Sequence, residues 1–293
     1  MIAWYYLVII SAVLMSVSTL VEKFALKAEH ASVYSSNAML LIAVFSFFLI
    51  PLANFNITLW ELLMLYVMSL TTTTTYLFTA RAYKHSDVSA ATPIKSTLPS
   101  IFTVLLAFIF LGEGLHLSQY LFIGALVVLT YLLLFKRGKK SKGPYFERKI
   151  YINYLLVTTL LMAIGGIITK YVLNLGVSIF TLFVVVGFSM AFNMVVYMII
   201  KYGGPKEMLG NLIKHPAPLL STSSLVMGYR LTYYAATSVA FISLVSPLQL
   251  SINIIIVVMV GALLFKERDI ARKSVLAVLM TVCVYFIINP IIL

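Results

Sequence analysis

The feature that most limits what this chain can become is the recurrence of apolar runs of about 20 residues along its whole length. A helix rises 1.5 Å per residue, so about 20 residues cross the roughly 30 Å hydrocarbon core of a bilayer. Ten such spans fit, with approximate limits 3–24, 33–53, 59–80, 88–111, 118–135, 151–173, 178–200, 217–237, 239–264 and 272–289. Composition points the same way. The 293 residues are 62% hydrophobic and 10% charged, against about 45–50% and about a quarter in soluble domains. The expected fold class is an all-α polytopic membrane protein of ten transmembrane helices. Residues 1–21 have no basic leader region and no small-residue cleavage site, so they read as the first membrane helix rather than a signal peptide. The single cysteine, Cys283, excludes an internal disulfide and a cysteine-rich metal site.

The chain repeats itself. Pro93-Ile94-Lys95-Ser96-Thr97-Leu98-Pro99 runs through an apolar segment to Gly112-Glu113, and 154 residues later Pro247-Leu248-Gln249-Leu250-Ser251-Ile252-Asn253 runs to Lys266-Glu267. Lys23, near the end of span one, corresponds to Lys170, near the end of span six, at an offset of 147. An intermediate offset of 149 would pair Arg81 with Arg230. The chain divides at a basic, flexible stretch beginning Lys136-Arg137-Gly138. This gives a first five-helix repeat over 1–137, a linker over 138–149 and a second repeat over 150–293. Five is odd, so the second repeat enters the membrane upside down relative to the first. That inverted-repeat plan is the one many secondary transporters use.

Orientation follows from Lys and Arg. One set of loops holds Lys27; Arg81 and Lys84; seven basic residues between 136 and 149; Lys201, Lys206 and Lys214; and Lys266, Arg268, Arg272 and Lys273. The opposite loops and both termini hold none. The positive-inside rule then puts the basic loops in the cytoplasm and both termini outside, with Trp4 and Trp60 at the outer boundary. The same distribution explains the net charge of +12 without nucleic acid as a partner. A cell (plasma) membrane location is expected.

Ten helices in two five-helix repeats, each with a helix ending in Gly-Glu or Lys-Glu, resemble the drug/metabolite transporter superfamily, its EamA-type branch in particular. The motifs that carry the resemblance are Pro99…Gly112-Glu113 and Asn253…Lys266-Glu267. The second repeat lacks the proline usual at the Asn253 position, and Lys266 replaces the usual glycine. Ile94-Lys95-Ser96-Thr97-Leu98-Pro99 is also similar to the Ile-Lys-x-x-Glu-Pro run of the triose-phosphate and nucleotide-sugar branches, where the lysine serves an anionic substrate. Leu98 stands where that branch has glutamate, and Gln249 where it has a second lysine. The resemblance implies cytoplasmic termini, whereas the loop charges place them outside; we follow the charges.

Four basic residues remain after the loops are counted: Lys23, Lys95, Lys170 and Arg230. Ionisable groups within a span usually face a cavity or a partner, because lipid exposure costs a few kcal/mol or more. Lys95 lies about two turns into span four, beside prolines that free backbone carbonyls. Its alternative is to snorkel its stem to the membrane surface. Arg230 lies too deep for that, beside Tyr229, Tyr233 and Tyr234; its planar guanidinium suits carboxylate or phosphate, and its alternative is a structural pair. Lys23 and Lys170 fall near opposite faces, as substrate contacts or as interfacial lysines. Glu22 could exchange a proton if burial raises its pKa, or simply pair with Lys23. Glu113 and Glu267 end spans four and nine, where a carboxylate favours the start of the next helix; with Pro99 they are expected to be structural or gating. Of Thr71 to Thr75 and Tyr76, the inward-facing members could line a polar cavity, with Ser246, Gln249 and Asn253 opposite.

The four histidines lie in loops or at span ends without metal-ligand spacing, and no Walker A sequence or nucleophile–base pair is present. No enzyme activity, metal or cofactor is therefore expected. The expected function is secondary transport of a small polar or amphipathic metabolite, expected to be anionic, by alternating access, with Lys95 and Arg230 as its main contacts. The alternative is a proton-coupled exporter of amino acids or amphipathic amines that uses Glu22. The bilayer and the small-molecule substrate are the partners, and a homodimer is left open.

Overall fold

A computed structural model describes residues 3–85, 88–134, 149–203, 216–264 and 270–290. Among them are ten α-helices and no strand. In chain order these are α1 (Trp4–Ala28), α2 (Ala31–Phe47), α3 (Leu59–Lys84), α4 (Val88–Leu106), α5 (Leu117–Leu134), α6 (Lys149–Asn174), α7 (Ile179–Tyr202), α8 (Pro216–Val239), α9 (Ile242–Leu264) and α10 (Ile270–Ile288). Residues 138–148, Lys266 and Glu267 lie outside the described residues.

Among the described residues, six stretches are long and apolar enough to cross a membrane: Trp4–Leu26, Leu59–Lys84, Ala91–Leu111, Ile150–Asn174, Ile179–Tyr202 and Ile242–Val260. Shorter apolar helices cover Ala31–Phe47, Leu117–Leu132 and Val278–Ile288. Side chains such as Phe110, Ile200 and Val278 stand exposed on the outside, as lipid contact requires and as a water-soluble surface would not.

Two helix ends differ from the sequence limits, for local reasons. Span two was expected to reach 53, but α2 stops at Phe47 and a 3-10 turn follows over Ile50–Leu52. Pro51 has no N–H to continue the ladder. Span four holds to 111, yet its last turn, Ala107–Leu111, is a π-helix closed by Gly112 at φ 67, a left-handed conformation that costs glycine nothing. Elsewhere the caps are ordinary. Thr58 accepts from the Glu61 amide at 3.3 Å while Glu61 Oε2 accepts from the Thr58 amide at 2.6 Å, a capping box at the start of α3.

The packing has a regular pattern. α1 packs along α8, and α6 packs along α3; α1 also meets α9, and α6 also meets α4. α2 crosses α7, α4 crosses α9, and α5 crosses α10. Exchanging α1–α5 with α6–α10 leaves this set of pairings unchanged. The α2–α7 crossing is close enough that a Cβ on Gly187 would fall 2.2 Å from Ser46 Oγ. α9 lies deep in the bundle, whereas α6 is much more open to the outside.

Candidate functional site

Six helices, α1, α3, α4, α6, α8 and α9, surround a central cavity of about 160 Å³. That is roughly ten times the space one water needs, so it is a chamber and not a packing defect. Each wall is a helical face. On α3, Thr72, Thr75, Tyr76 and Thr79 recur at spacings of three and four; on α1, Met15, Ser18, Thr19 and Glu22 do the same. α4 contributes Lys95 and Pro99, α8 contributes Tyr229, Arg230, Tyr233 and Tyr234, and α9 contributes Ser246 and Gln249. The α6 wall includes Gly165 and Gly166, where an added Cβ would lie 3.3 Å from Thr71 Oγ1 and 3.2 Å from Ile242 Cδ1, respectively. Small residues there let α6 approach its neighbours.

Both expected cations reach the chamber. Arg230 is 7% exposed; its Nη1 donates to Met190 Sδ at 3.1 Å, and its guanidinium carbon lies 5.9 Å from the Tyr76 ring centroid. A thioether is a weak acceptor, and a guanidinium has five donors, so most of this group's hydrogen-bonding capacity is not met by Met190. Lys95 is half-buried, with Nζ 5.2 Å from the Tyr83 ring centroid. No ion pair joins either cation to a carboxylate among the described residues. Three further polar groups on the walls lack partners. Glu22 Oε1, Thr75 Oγ1 and Thr79 Oγ1 are buried with no hydrogen-bond partner, a condition native proteins seldom leave unexplained. The other threonines of the run bond their own helix: Thr71 and Thr72 donate to Met68 O at 2.8 and 2.7 Å, Thr73 to Ser69 O at 2.8 Å and Thr74 to Leu70 O at 2.9 Å.

Other expected site residues have structural partners. Gln249 reaches the chamber, but its Nε2 donates to Ser11 Oγ at 2.6 Å, and Ser11 in turn donates to Tyr229 O at 2.6 Å. Asn253 does not line the chamber; its Nδ2 donates to Ser16 Oγ at 3.0 Å. These bonds stitch α9 to α1. Lys23 and Lys170 also lie off the chamber walls. Lys23 Nζ donates to the carbonyl of Tyr83 at the end of α3. Lys170 Nζ donates to Thr237 O at 2.8 Å and Ala240 O at 3.0 Å, at the end of α8. Each ammonium sits where a helix C-terminus presents unsatisfied carbonyls and partial negative charge.

Glu113 serves a helix start, though not that of the next helix. Its carboxylate accepts from the amides of Ile242 at 3.1 Å and Ser243 at 2.9 Å, and from Ser243 Oγ at 2.7 Å. It caps α9 instead of α5, because the chain turns at Gly112 and brings the carboxylate to α9. The offset of 149 also fails in space. Arg81 lies in the last turn of α3, whereas Arg230 lies more than two turns before α8 ends. Sequence reading also missed Thr79, Ser18 and Thr19 of α1, and the glycine pair; the polar residues at 18, 19 and 22, at helical spacing, were the available signal.

Over the first five helices the chain matches a family model, that of the EamA-like transporter family, at residues 2–135. The first half of this protein is EamA-like. That agrees with the resemblance to the drug/metabolite transporter superfamily, whose EamA-like members are membrane transporters of small molecules and not enzymes. The EamA-like region holds Glu22, Tyr76 and Lys95 of the chamber; Arg230, Ser246 and Gln249 lie beyond it. No curated protein sequence matches the chain. Among solved structures, one crystal structure of a protein superposes with a TM-score of 0.65 at 12% identity, covering 97% of this chain and 95% of that one. At that identity the likeness speaks for the fold alone. Together, the apolar helices and the match over residues 2–135 support a multi-pass membrane protein whose first half is similar to EamA-like transporters.

Proposed function

We propose that the protein is a secondary transporter that carries a small polar or amphipathic metabolite bearing a carboxylate or phosphate, by alternating access through the central chamber. The observation that carries this reading is the presence of two cations, Lys95 and Arg230, on one chamber wall system with no carboxylate ion-paired to either. A buried guanidinium and a half-buried ammonium outnumber the one carboxylate, Glu22, that shares the chamber with them, and that balance favours an anion. Arg230 offers a planar donor fork, Lys95 a mobile point charge, and the Thr75 and Thr79 hydroxyls supply further donors. Tyr76, Tyr229, Tyr233 and Tyr234 accommodate the apolar part of the cargo.

The architecture we infer is ten spans in two inverted repeats, 1–137 and 150–293. It is supported by the exchange symmetry of the helix pairings and by Lys23 and Lys170, which cap the ends of α3 and α8 in the same way. Alternating access would then exchange the conformations of the two repeats around a fixed chamber. The loop charges favour cytoplasmic basic loops and outer termini in a cell membrane.

A second reading is favoured by one observation. Glu22 faces the chamber with an unpartnered oxygen, as a proton-coupled exporter of amines or amino acids would need. A thermal-shift series on the purified protein separates the two. A ligand at about 100 times its Kd adds about 2.7 kcal/mol of stability. Carboxylates or phosphates should raise the Tm and simple amines should not; a rise with amines alone would overturn the anion reading.

A further inference from the structure

A second cationic site lies away from the chamber, where α2 begins and α3 and α7 end. Arg81, in the last turn of α3, donates through Nη2 to the Tyr197 hydroxyl of α7 and, at 3.4 Å, to Ser32 Oγ in the first turn of α2. Lys201, one turn beyond Tyr197, has its Nζ 5.6 Å from the Tyr197 ring centroid and 5.8 Å from that of Tyr202. The Tyr202 hydroxyl returns to Ser32 Oγ at 3.2 Å. Two cations from two helices thus converge on one tyrosine, and no ion pair joins either to a carboxylate among the described residues. Lys84, in the same turn as Arg81, is engaged by the Glu29 carbonyl at 2.6 Å and takes no part. Lys201 and Tyr202 are exposed, and beside them Ile199 and Ile200 present 51% and 80% of their surface. Charge sits at the helix end and bare apolar surface lies alongside it.

We propose that this pocket at the ends of α2, α3 and α7 binds the headgroup phosphate of an anionic phospholipid. Arg81 and Lys201 hold the phosphate, the Tyr197 hydroxyl donates a hydrogen bond to it, buried Ser32, which accepts from Tyr202, positions Arg81 behind it, and the acyl chains lie against Ile199 and Ile200. A phospholipid fits better than a free anion because the cations adjoin a lipid-facing apolar surface, and tyrosines are at home at headgroup depth. Basic pockets between membrane helices are a recurrent way of retaining such headgroups.

The test is native mass spectrometry of the full-length protein released from detergent, with phosphatidylglycerol, phosphatidylcholine or inorganic phosphate added and with thermal unfolding measured in parallel. Phosphatidylglycerol should be retained preferentially and should raise the Tm. Lys201→Gln, at an exposed site that leaves the packing alone, should cut retention by about fivefold, the effect of one cation near an anionic surface. Arg81→Gln with Lys201→Gln should abolish the preference, and Arg272→Gln, on another helix, should leave it intact. Equal retention of phosphatidylcholine, an unchanged preference in the double variant, or an equal loss in Arg272→Gln would overturn the proposal. Inorganic phosphate reproducing the Tm rise would also overturn it, because the occupant would then be a free anion.

Discussion

α4 and α9 occupy matching places in the two halves of the chain and do different work. Both carry a proline near the start, Pro93 and Pro247, and they cross each other beside the chamber. At the position 154 residues on from Lys95 stands Gln249. Lys95 faces the chamber with only the Tyr83 ring as a close aromatic neighbour and no ion pair among the described residues. Gln249 faces the same chamber but donates to Ser11, which ties it to the backbone of Tyr229. At this position α4 brings a charge to the chamber, and α9 ties itself to α1. Matching places in the pairing pattern therefore need not present matching groups.

The difference can be broken in order of expected effect. Gln249→Lys would place a second ammonium at a site that is 5% exposed and orphan the Ser11 contact. An uncompensated buried charge of this kind should cost about 3 kcal/mol or more, seen as a fall of several degrees in the Tm in detergent. A Tm unchanged from wild type would mean the position tolerates charge in either half. Glu113→Gln keeps the size of the side chain while removing the charge that caps α9. It should cost about 1–2 kcal/mol, the range for a lost helix cap and its dipole contribution, and Glu113→Asp should retain part of the stability. Ser11→Ala removes one bridge of the α1–α9 seam and should cost about 1 kcal/mol, with substrate binding preserved because Ser11 does not line the chamber.

Much of this arrangement was legible in the sequence. Apolar runs located the ten described helices, and Lys95, Arg230, Glu22, Tyr76, Ser246 and Gln249 do meet at one chamber. Polar residues in an apolar helix are conspicuous, so finding them needs no structure. What they touch is another matter. Lys23 and Lys170 read equally as substrate contacts near opposite faces or as interfacial lysines, and Asn253 as a cavity residue; in the structure the first two cap helix ends and the third bonds Ser16. Nothing local in the sequence distinguishes a lysine that reaches a carbonyl 67 residues away, as Lys170 does with Thr237, from one that faces a cavity. Glu113 is a similar case, since its partners at 242 and 243 are 129 and 130 residues distant. Thr79 went unnoticed because it stands outside the threonine run, although its helical spacing from Thr72, Thr75 and Tyr76 places it on the same wall.

Uptake by proteoliposomes containing the purified protein tests the central claim most directly. A carboxylate or phosphate metabolite that raises the Tm should be transported without added nucleotide. Lys95→Gln, which gives α4 the residue α9 already carries, and Arg230→Gln should each weaken its apparent affinity by roughly 10- to 100-fold, as loss of about 1.5–3 kcal/mol from a charged hydrogen bond requires. Transport of the anion at wild-type affinity in both variants would contradict the account.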